Sequence, residues 1–478
     1  MYLGLDLGTS GLKALLVDEA QTIVAEANAP LTISRPHPGW SEQNPADWIA
    51  ACEQVLDELK RMNTPALSAM RAIGLSGQMH GATLLGEDDD VLRPCILWND
   101  TRSHQQAARL DADPRFRNLT GNIVFPGFTA PKLAWVRENE PDVFAKTKRV
   151  LLPKDYLRQW LTGEACSDMS DASGTGWLDV GARRWSHELL AATHLSESHM
   201  PDLVEGSECS GRLRTELASR WGMKACTVAG GAGDNAASAI GLGAISGRQG
   251  FVSLGTSGVL FAATETYAPN PASAVHAFCH AVPETWHQMG VFLSATDSLN
   301  WWSKVADTDV ATLVSEAEAS PDADGPNFLP YLAGERTPHN DATIRGGFTG
   351  LDHAHDRAAL TNAVLEGVAF ALRDSLDALA EAGTSLDSVL AVGGGTRSGH
   401  WLQIIADALA IPVELPASGD VGAAFGAVRL AMMADGAGTP EEIATAPVIA
   451  KRFEPQRNLT EKLAHYRALY SALKDASP

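Results

Sequence analysis

The chain has 478 residues, which is long enough for two or three domains. Of these residues 45% are hydrophobic and 20% are charged, a composition typical of globular proteins. Its formal net charge of -21 argues against a nucleic-acid-binding face, which needs clustered Lys and Arg. The N-terminus lacks a basic segment followed by an apolar core, no apolar run approaches the ~20 residues that span a bilayer, and the six cysteines show no CxxC spacing. We therefore expect a cytoplasmic protein with reduced thiols.

The first residues predict three strands joined by short turns. YLGLDLG alternates apolar residues, TSG is a turn, and LKALLVDEAQTIVAEANAPL supplies two further strands. A helix should follow, because Asn44 can cap it and Pro45 suits a first helical turn. RAIGLSGQMHGATLL then predicts a buried strand that runs into a glycine-flanked loop. The segment 99–179 is richer in Trp, Pro and loops, which is typical of an insertion that builds a ligand site.

From Gly250 the pattern starts again. FVSLGTSGVLFAA predicts a strand, a turn and a strand, with a further strand near 288–293 and helices near 358–382. LAVGGGTRSGHWLQIIADALAIPVEL then predicts a strand, a glycine turn, a helix and a strand. The motif LGTSG thus opens a similar unit twice, about half a chain apart, which favours duplication over chance. We predict two α/β domains, 1–245 and 246–478.

The glycine turns are candidate phosphate sites. A Gly-Thr-Ser turn exposes backbone N–H groups and hydroxyls that can bind phosphate oxygens. One copy alone could be a plain hairpin turn. Two copies, one in each half, suggest that both turns bind the same polyphosphate from opposite sides. GGGTRS could hold a nucleotide at a helix N-terminus, or it could simply connect a strand to a helix. GAGDNA matches part of a dinucleotide fingerprint, but the usual ribose-binding acid is missing, and no GxxxxGK[ST] loop occurs.

Two acids stand out by position. Asp6 adjoins the first turn, where a carboxylate would repel phosphates unless Mg²⁺ lies between them. Asp234 precedes an apolar helix and is either a helix cap or a general base. Lys13 could meet a terminal phosphate or merely lie at the surface.

The histidines have structural alternatives as well. His80, between glycines, could bind a polyol or have a structural role. The spacing of His276 and His280 would put two metal ligands on one face of a helix, but no third ligand follows at a usual distance, and packing is the simpler interpretation.

Taken together, DLGTSGLK, SGQMHGA, ILWNDTR, GFTAPKLAWVREN, GGAGDNAASA, PYLAGERTPHN and GGGTRSGHWLQIIAD resemble the FGGY carbohydrate kinases, from residue 4 to about residue 430. The resemblance implies an α/β, two-domain actin-like ATPase (ribonuclease H-like) fold, with ATP and sugar in the cleft between the domains. It is greatest to members that phosphorylate D-xylulose, and the alternatives are another pentulose or a pentitol (D-ribulose, L-xylulose or xylitol). A homodimer is expected.

The resemblance also implies residue roles. Asp234 would be the general base, and Asp6 would place Mg²⁺ and the phosphates. The sugar would contact Gln78, Met79, His80, Asp234 and Asn235. The ATP phosphates and adenosine would contact Gly8, Thr9, Ser10, Lys13, Gly255, Thr256, Gly394 and Gly395.

Two other functions compete with a sugar kinase. An actin-like ATPase that acts on a protein partner would be stimulated by polypeptide and indifferent to sugar. A nicotinamide-dependent polyol dehydrogenase rests on GAGDNA alone. The SGQMHGA loop and the Trp-rich insertion favour a small polar ligand.

Overall fold

The computed structural model describes residues 1–320, 325–419 and 422–476, and it contains two large sheets of seven strands each. The first sheet has the order β5-β6-β4-β1-β2-β3, with β7 paired to β4. Its strands are β1 (Tyr2–Leu7), β2 (Gly11–Val17), β3 (Ile23–Pro30), β4 (Ala72–Gly77), β5 (Cys209–Arg212), β6 (Thr227–Ala229) and β7 (Ala232–Gly233).

The second sheet has the order β10-β11-β9-β8-β12-β13-β14. Its strands are β8 (Gly250–Leu254), β9 (Gly258–Thr264), β10 (His276–Cys279), β11 (Trp286–Phe292), β12 (Val389–Val392), β13 (Val413–Pro416) and β14 (Ile449–Phe453). Five two-stranded ladders complete the described strands: Glu42–Gln43 with Cys95–Ile96, Thr83–Leu85 with Arg149–Leu151, Cys166–Asp168 with Asp202–Val204, Leu178–Asp179 with Arg184–Trp185, and Asn327–Leu329 with Gly347–Thr349.

The two sheets repeat one arrangement. In the first, β1 pairs antiparallel with β2 and parallel with β4; in the second, β8 pairs antiparallel with β9 and parallel with β12. The register places Leu7 opposite Gly77 and Ser253 opposite Val392. Each LGTSG turn therefore lies beside the loop that follows a neighbouring parallel strand.

The helices surround both sheets. The labelled ones are α1 (Pro45–Ser68), α2 (Pro153–Thr162), α3 (Asp234–Leu242), α4 (Thr296–Val305), α5 (Arg357–Glu381), α6 (Gly399–Leu409), α7 (Ala423–Ala434) and α8 (Thr460–Ala476). The other described helices are His104–Asp111, Pro114–Thr120, Thr129–Asn139, Pro141–Lys146, Met169–Ala172, His187–Ala192, Thr215–Trp221, Val310–Ala319 and Pro440–Ile443, and four 3₁₀ turns are Ser173–Thr175, Glu197–His199, Pro271–Ser273 and Gly394–Arg397. The largest apolar core lies in the second half, between its sheet and the buried faces of α5 and α6.

Helix α7 comes from the second half of the chain but packs on the first sheet. A Cβ at Gly4 would lie 2.1 Å from the carbonyl oxygen of Ala424, and a Cβ at Gly74 would lie 1.9 Å from that of Ala427. Only glycine permits so close an approach of strand and helix backbones. The two halves are therefore joined by packing as well as by chain connection.

Several element predictions are confirmed. The first three strands occur, Asn44 accepts a hydrogen bond from the N–H of Ala46 at the start of α1, and the strand near 288–293 is β11. One premise is wrong: His276 belongs to β10, so His276 and His280 do not share a helix face. His276 is buried and packs among aromatic rings, so a packing role explains its position. Within the described residues, no helix combines the length and apolarity that a membrane crossing requires.

Candidate active site

The first glycine turn, between β1 and β2, is held by polar side chains from three other segments. The Thr9 hydroxyl donates to Gln78 Oε1 at 3.0 Å and accepts from Trp98 Nε1 at 2.9 Å. Gln43 Nε2 donates to the Thr9 carbonyl at 2.7 Å. Ser10 is exposed at the tip, whereas Gly8 is half-buried. The turn is thus fixed in shape and open to a ligand at its tip.

Asp6 lies at the end of β1, immediately before this turn. The strand register places it opposite Lys13 on β2 and Ser76 on β4. Its Oδ1 atom is buried and accepts no hydrogen bond from a described residue. Burial raises the pKa of Asp6, while Ser76 and the positive charge of Lys13 act in the opposite direction. Lys13 itself forms an ion pair with Glu26, with 3.3 Å between Nζ and Oε2.

Asp234 is the first residue of α3. Because β7 pairs with β4, Gly233 lies opposite Gly77, which brings Asp234 close to the end of β4. Asp234 Oδ1 accepts from the backbone N–H of Asn235 at 2.7 Å and from its Nδ2 at 3.0 Å. Burial and the negative charge of Asp6 raise the pKa of Asp234 to about 6, against the lowering effect of Asn235. The two carboxylates therefore share one site, and Asp234 Oδ2 has no partner among the described residues.

His80 sits in a left-handed backbone conformation, with φ of 70°. Its Nδ1 lies 2.7 Å from the carbonyl oxygen of Gly174, so Nδ1 carries the proton, and its ring stacks on Phe128 at 4.9 Å. Burial lowers the pKa of His80 to about 3, so the ring is neutral. The fully buried Lys132 donates from Nζ to the carbonyl oxygens of His80 and Gly127, both at 2.7 Å. The His80 loop is thereby held from both sides.

Met79 and Gln78 join this loop to the two acids. Met79 is buried, and a Cβ at Gly233 would lie 2.8 Å from Met79 Cγ, so the side chain covers the start of α3. Gln78 is buried too, and it donates to Gln43 Oε1 at 2.9 Å while it accepts from Thr9. Gln78, Met79, His80, Asp234 and Asn235 thus lie together, beside the first turn.

The second glycine turn belongs to the other half. The Gly255 carbonyl accepts from Thr296 N at 2.9 Å and from Thr296 Oγ1 at 2.8 Å, and the Thr256 carbonyl accepts from Ala295 N at 2.9 Å. Thr256 is exposed. The carbonyl groups therefore anchor the turn to the start of α4 and leave its hydroxyl side open.

A cavity of about 590 Å³ adjoins this second turn. Gly394 and Gly395 form one side of it, and Leu299, Val314 and Trp401 contribute apolar surface. The β8–β12 pairing places the glycine loop directly beside the turn. An apolar slot next to exposed amides and hydroxyls suits a nucleoside followed by its phosphates.

Comparison with known proteins identifies the family. Residues 1–241 match the N-terminal domain, and residues 250–434 match the C-terminal domain, of the FGGY family of carbohydrate kinases. The chain belongs to this family. A xylulose kinase of Escherichia coli K12 is 49% identical over 437 residues, covering 91% of this chain and 90% of that protein. The family membership excludes the dehydrogenase alternative.

Solved structures give the fold. A structure described as a xyloylose kinase from Brucella ovis is 60% identical, covers 100% of both chains and has a TM-score of 0.98. A xylulose kinase from Rhodospirillum rubrum is 32% identical, covers 99% of both chains and has a TM-score of 0.92. The predicted two-domain actin-like ATPase fold of the sugar kinases is confirmed.

In this FGGY kinase a buried charge cluster lies beneath the acids. Lys154 is fully buried, and its Nζ lies 2.6, 2.8 and 3.5 Å from three buried carboxylates, those of Asp155, Asp168 and Asp171. Arg158 also pairs with Asp155. Ser170 Oγ accepts from the Gly233 N–H at 3.1 Å, which ties this cluster to the segment that carries Asp234. With two cations among three carboxylates, the cluster is an internal ion-pair network that supports the site.

Sequence reasoning missed the residues that hold the site. Gln43 gives no signal in the sequence, whereas Trp98 and Lys132 are recognised only as parts of family motifs. A buried lysine and a surface lysine have the same local sequence pattern, so the contacts of Lys132 with two carbonyl groups could be found only in three dimensions.

Proposed function

We propose that this protein transfers the terminal phosphoryl group of ATP to the 5-hydroxyl of D-xylulose, giving D-xylulose 5-phosphate. The observation that carries the proposal is the placement of Asp6 and Asp234 in one site, between the first glycine turn and the His80 loop. The named activity of the similar E. coli protein supports the choice of D-xylulose.

Asp234 is the proposed general base. Because its pKa is about 6, Asp234 is ionised at pH 7. This pKa is also close enough to 7 for the carboxylate to accept a hydroxyl proton during transfer. Asn235 holds Oδ1, so Oδ2 is the atom that receives the proton. Met79 and the neutral His80 contribute an apolar wall and a polar ring to the sugar site.

ATP is the phosphoryl donor expected of this family, and we propose that it spans the two halves. The cavity at Gly394 and Gly395 would take the adenosine, and the turns at Thr9–Ser10 and Gly255–Thr256 would take the phosphates. Lys13 lies opposite Asp6, within reach of the same end of the strand. Residues 1–245 would thus mainly bind sugar, and 246–478 nucleotide.

The buried, unpartnered Oδ1 of Asp6 fits a role at a Mg²⁺ site. Bound there, directly or through water, Mg²⁺ supplies charge neutralisation for the phosphate oxygens. The proposal includes a homodimer in the cytoplasm, as the family resemblance implies.

An ADP-release assay tests the base and the sugar together. Asp234→Asn should lower turnover at least 100-fold, because general-base assistance is worth about 10²–10⁴-fold, while ATP binding is retained. Asp88→Asn, which changes an exposed acid, is the matched control and should behave as the wild type. The panel is D-xylulose, D-ribulose, L-xylulose and xylitol.

Two results would count against the proposal. Near wild-type release of ADP by Asp234→Asn with D-xylulose would remove Asp234 as the base. A wild-type enzyme that turns over another member of the panel far better than D-xylulose would overturn the substrate.

A further inference from the structure

Arg336 lies in the second half of the chain and contacts an aromatic ring of the first half. Its guanidinium carbon is 4.7 Å from the centre of the Phe125 ring. Phe125 contacts Phe128 at 6.0 Å, and Phe128 stacks on His80. Arg336 is also close enough to His80 and His276 for its charge to lower the pKa of both rings. A row of aromatic rings therefore connects the cation to the loop that is expected to bind sugar.

The guanidinium of Arg336 has no hydrogen bond or ion pair with any residue in the described parts of the chain. Its backbone N–H does have a partner, since it donates to Glu335 Oε1 at 2.7 Å. None of its side-chain nitrogens is among the fully buried, unpartnered atoms of the described residues, so these nitrogens are not sealed from solvent. A half-buried guanidinium carries five donors, and leaving them unsatisfied costs free energy unless a ligand accepts from them.

The loop that carries Arg336 is held in place by hydrogen bonds from its two neighbouring residues. Thr337 N donates to the Val291 carbonyl at 3.0 Å, and Thr337 Oγ1 accepts from Val291 N at 3.0 Å. Thr337 Oγ1 also donates to the Ala274 carbonyl at 2.9 Å. Glu335 Oε1 accepts from Leu293 N at 3.0 Å as well as from Arg336 N. Thr337 and Glu335 Oε1 are thus tied to the segments around β11, whereas Glu335 Oε2 is buried without a hydrogen-bond partner among the described residues.

The position of Arg336 relative to the base follows from packing contacts. Gly233, which precedes Asp234, packs against Met79, since a Cβ there would lie 2.8 Å from Met79 Cγ. Arg336 instead lies over Phe125, which reaches His80 through Phe128. Arg336 therefore lies on the far side of His80 from the base, where the end of the sugar that does not react would sit.

We propose that Arg336 donates hydrogen bonds to the carbonyl and 1-hydroxyl oxygens of the bound ketose, and so makes the sugar site span both halves of the molecule. This inference rests on the proposed function. The planar guanidinium can donate two parallel hydrogen bonds to two adjacent acceptor oxygens. A site that depends on such bonds discriminates against an analogue whose oxygens do not present the same acceptor geometry. Arg336 is then a determinant of preference for pentuloses over pentitols.

The test is steady-state kinetics of Arg336→Met and Arg336→Lys on D-xylulose and xylitol. We expect Arg336→Met to raise KM for D-xylulose at least tenfold, with a smaller change in kcat and a KM for ATP within about twofold of wild type. The D-xylulose to xylitol ratio of kcat/KM should fall by a similar factor. Arg336→Lys, which keeps the charge but not the fork, should lie between. Arg248→Met, an exposed arginine of the same half, is the control.

A structural role for Arg336 predicts a different outcome. In that case thermal stability and ATP hydrolysis without sugar would fall as the sugar KM rises, and Arg336→Lys would restore none of the selectivity; either result overturns the inference. An unchanged sugar KM and xylitol ratio in Arg336→Met would overturn it as well. Failure of the wild type on every sugar would instead overturn the proposed function, and the inference with it, before any variant is compared.

Discussion

At the scale of single residues, the site depends on two carboxylates that affect each other's proton affinity. Asp6 comes from the first strand and Asp234 from the start of α3, so their approach is a product of the β1–β4–β7 pairing. The negative charge of Asp6 disfavours a second negative charge on Asp234, which contributes to its pKa of about 6. This makes a measurable link between the two residues.

We expect kcat/KM for the sugar to fall about tenfold per pH unit below about pH 6, because only ionised Asp234 can accept the proton. In Asp6→Asn the like charge is gone, so the pKa of Asp234 should decrease and the acid limb should move to lower pH. The limb is measured from pH 4.5 to 8 in both proteins, whatever the absolute activity of the variant. An acid limb that stays in place, or moves up, would show that the two carboxylates do not interact.

The two acids and Lys13 are accessible to sequence reasoning, whereas the roles of Lys132 and Arg336 are not. Asp6 and Asp234 follow recognisable glycine-rich patterns, and those patterns are local. The importance of Lys132 and Arg336 rests instead on burial and on which partners they have or lack, and these properties arise only when distant segments meet. Each of the predicted site roles remains a prediction to be tested by substitution.

At the scale of elements, α7 is the part of the fold that the sequence did not place. Strands and helices were predicted from periodicity and glycine turns, which are local signals. α7 is buried along nearly its whole length, so its pattern does not say which sheet it covers. The structure places it against the first sheet and against α3, where Arg429 donates to the carbonyl groups of Ile240 and Gly241 at 3.0 Å each.

Gly74→Ala should destabilise this contact. The added Cβ would lie 1.9 Å from the Ala427 carbonyl oxygen, so the strand and helix must separate, and forced overpacking costs about 1–3 kcal/mol or more. Gly347→Ala is the matched control, because Gly347 also lies in a strand but a Cβ there meets nothing within 4 Å. Thermal unfolding of the three proteins measures the difference. Equal midpoints for Gly74→Ala and Gly347→Ala would mean that α7 does not need this close approach.

At the scale of the whole molecule, the proposed ligand contacts divide unequally between two similar halves. The acids and the His80 loop belong to the first half, while the nucleoside cavity and Arg336 belong to the second. Each ligand would contact both halves. ATP would contact the two glycine turns of the protein, and the sugar would contact His80 and Arg336. Any arrangement of the halves that improves one set of contacts therefore changes the other, which is the condition for coupled binding.

We expect D-xylulose to tighten the binding of a non-hydrolysable ATP analogue by about 5- to 150-fold, the usual range for coupling between two sites. The analogue should tighten D-xylulose by the same factor, since coupling of binding free energies is reciprocal. Calorimetric titration of each ligand, with and without the other, measures both factors. In Arg336→Met the affinity for the analogue alone should be unchanged while the coupling falls, because the sugar then has lost its contact with the second half. Full coupling in that variant would mean that the sugar reaches the second half through other residues, and absence of coupling in the wild type would mean that the halves bind their ligands independently.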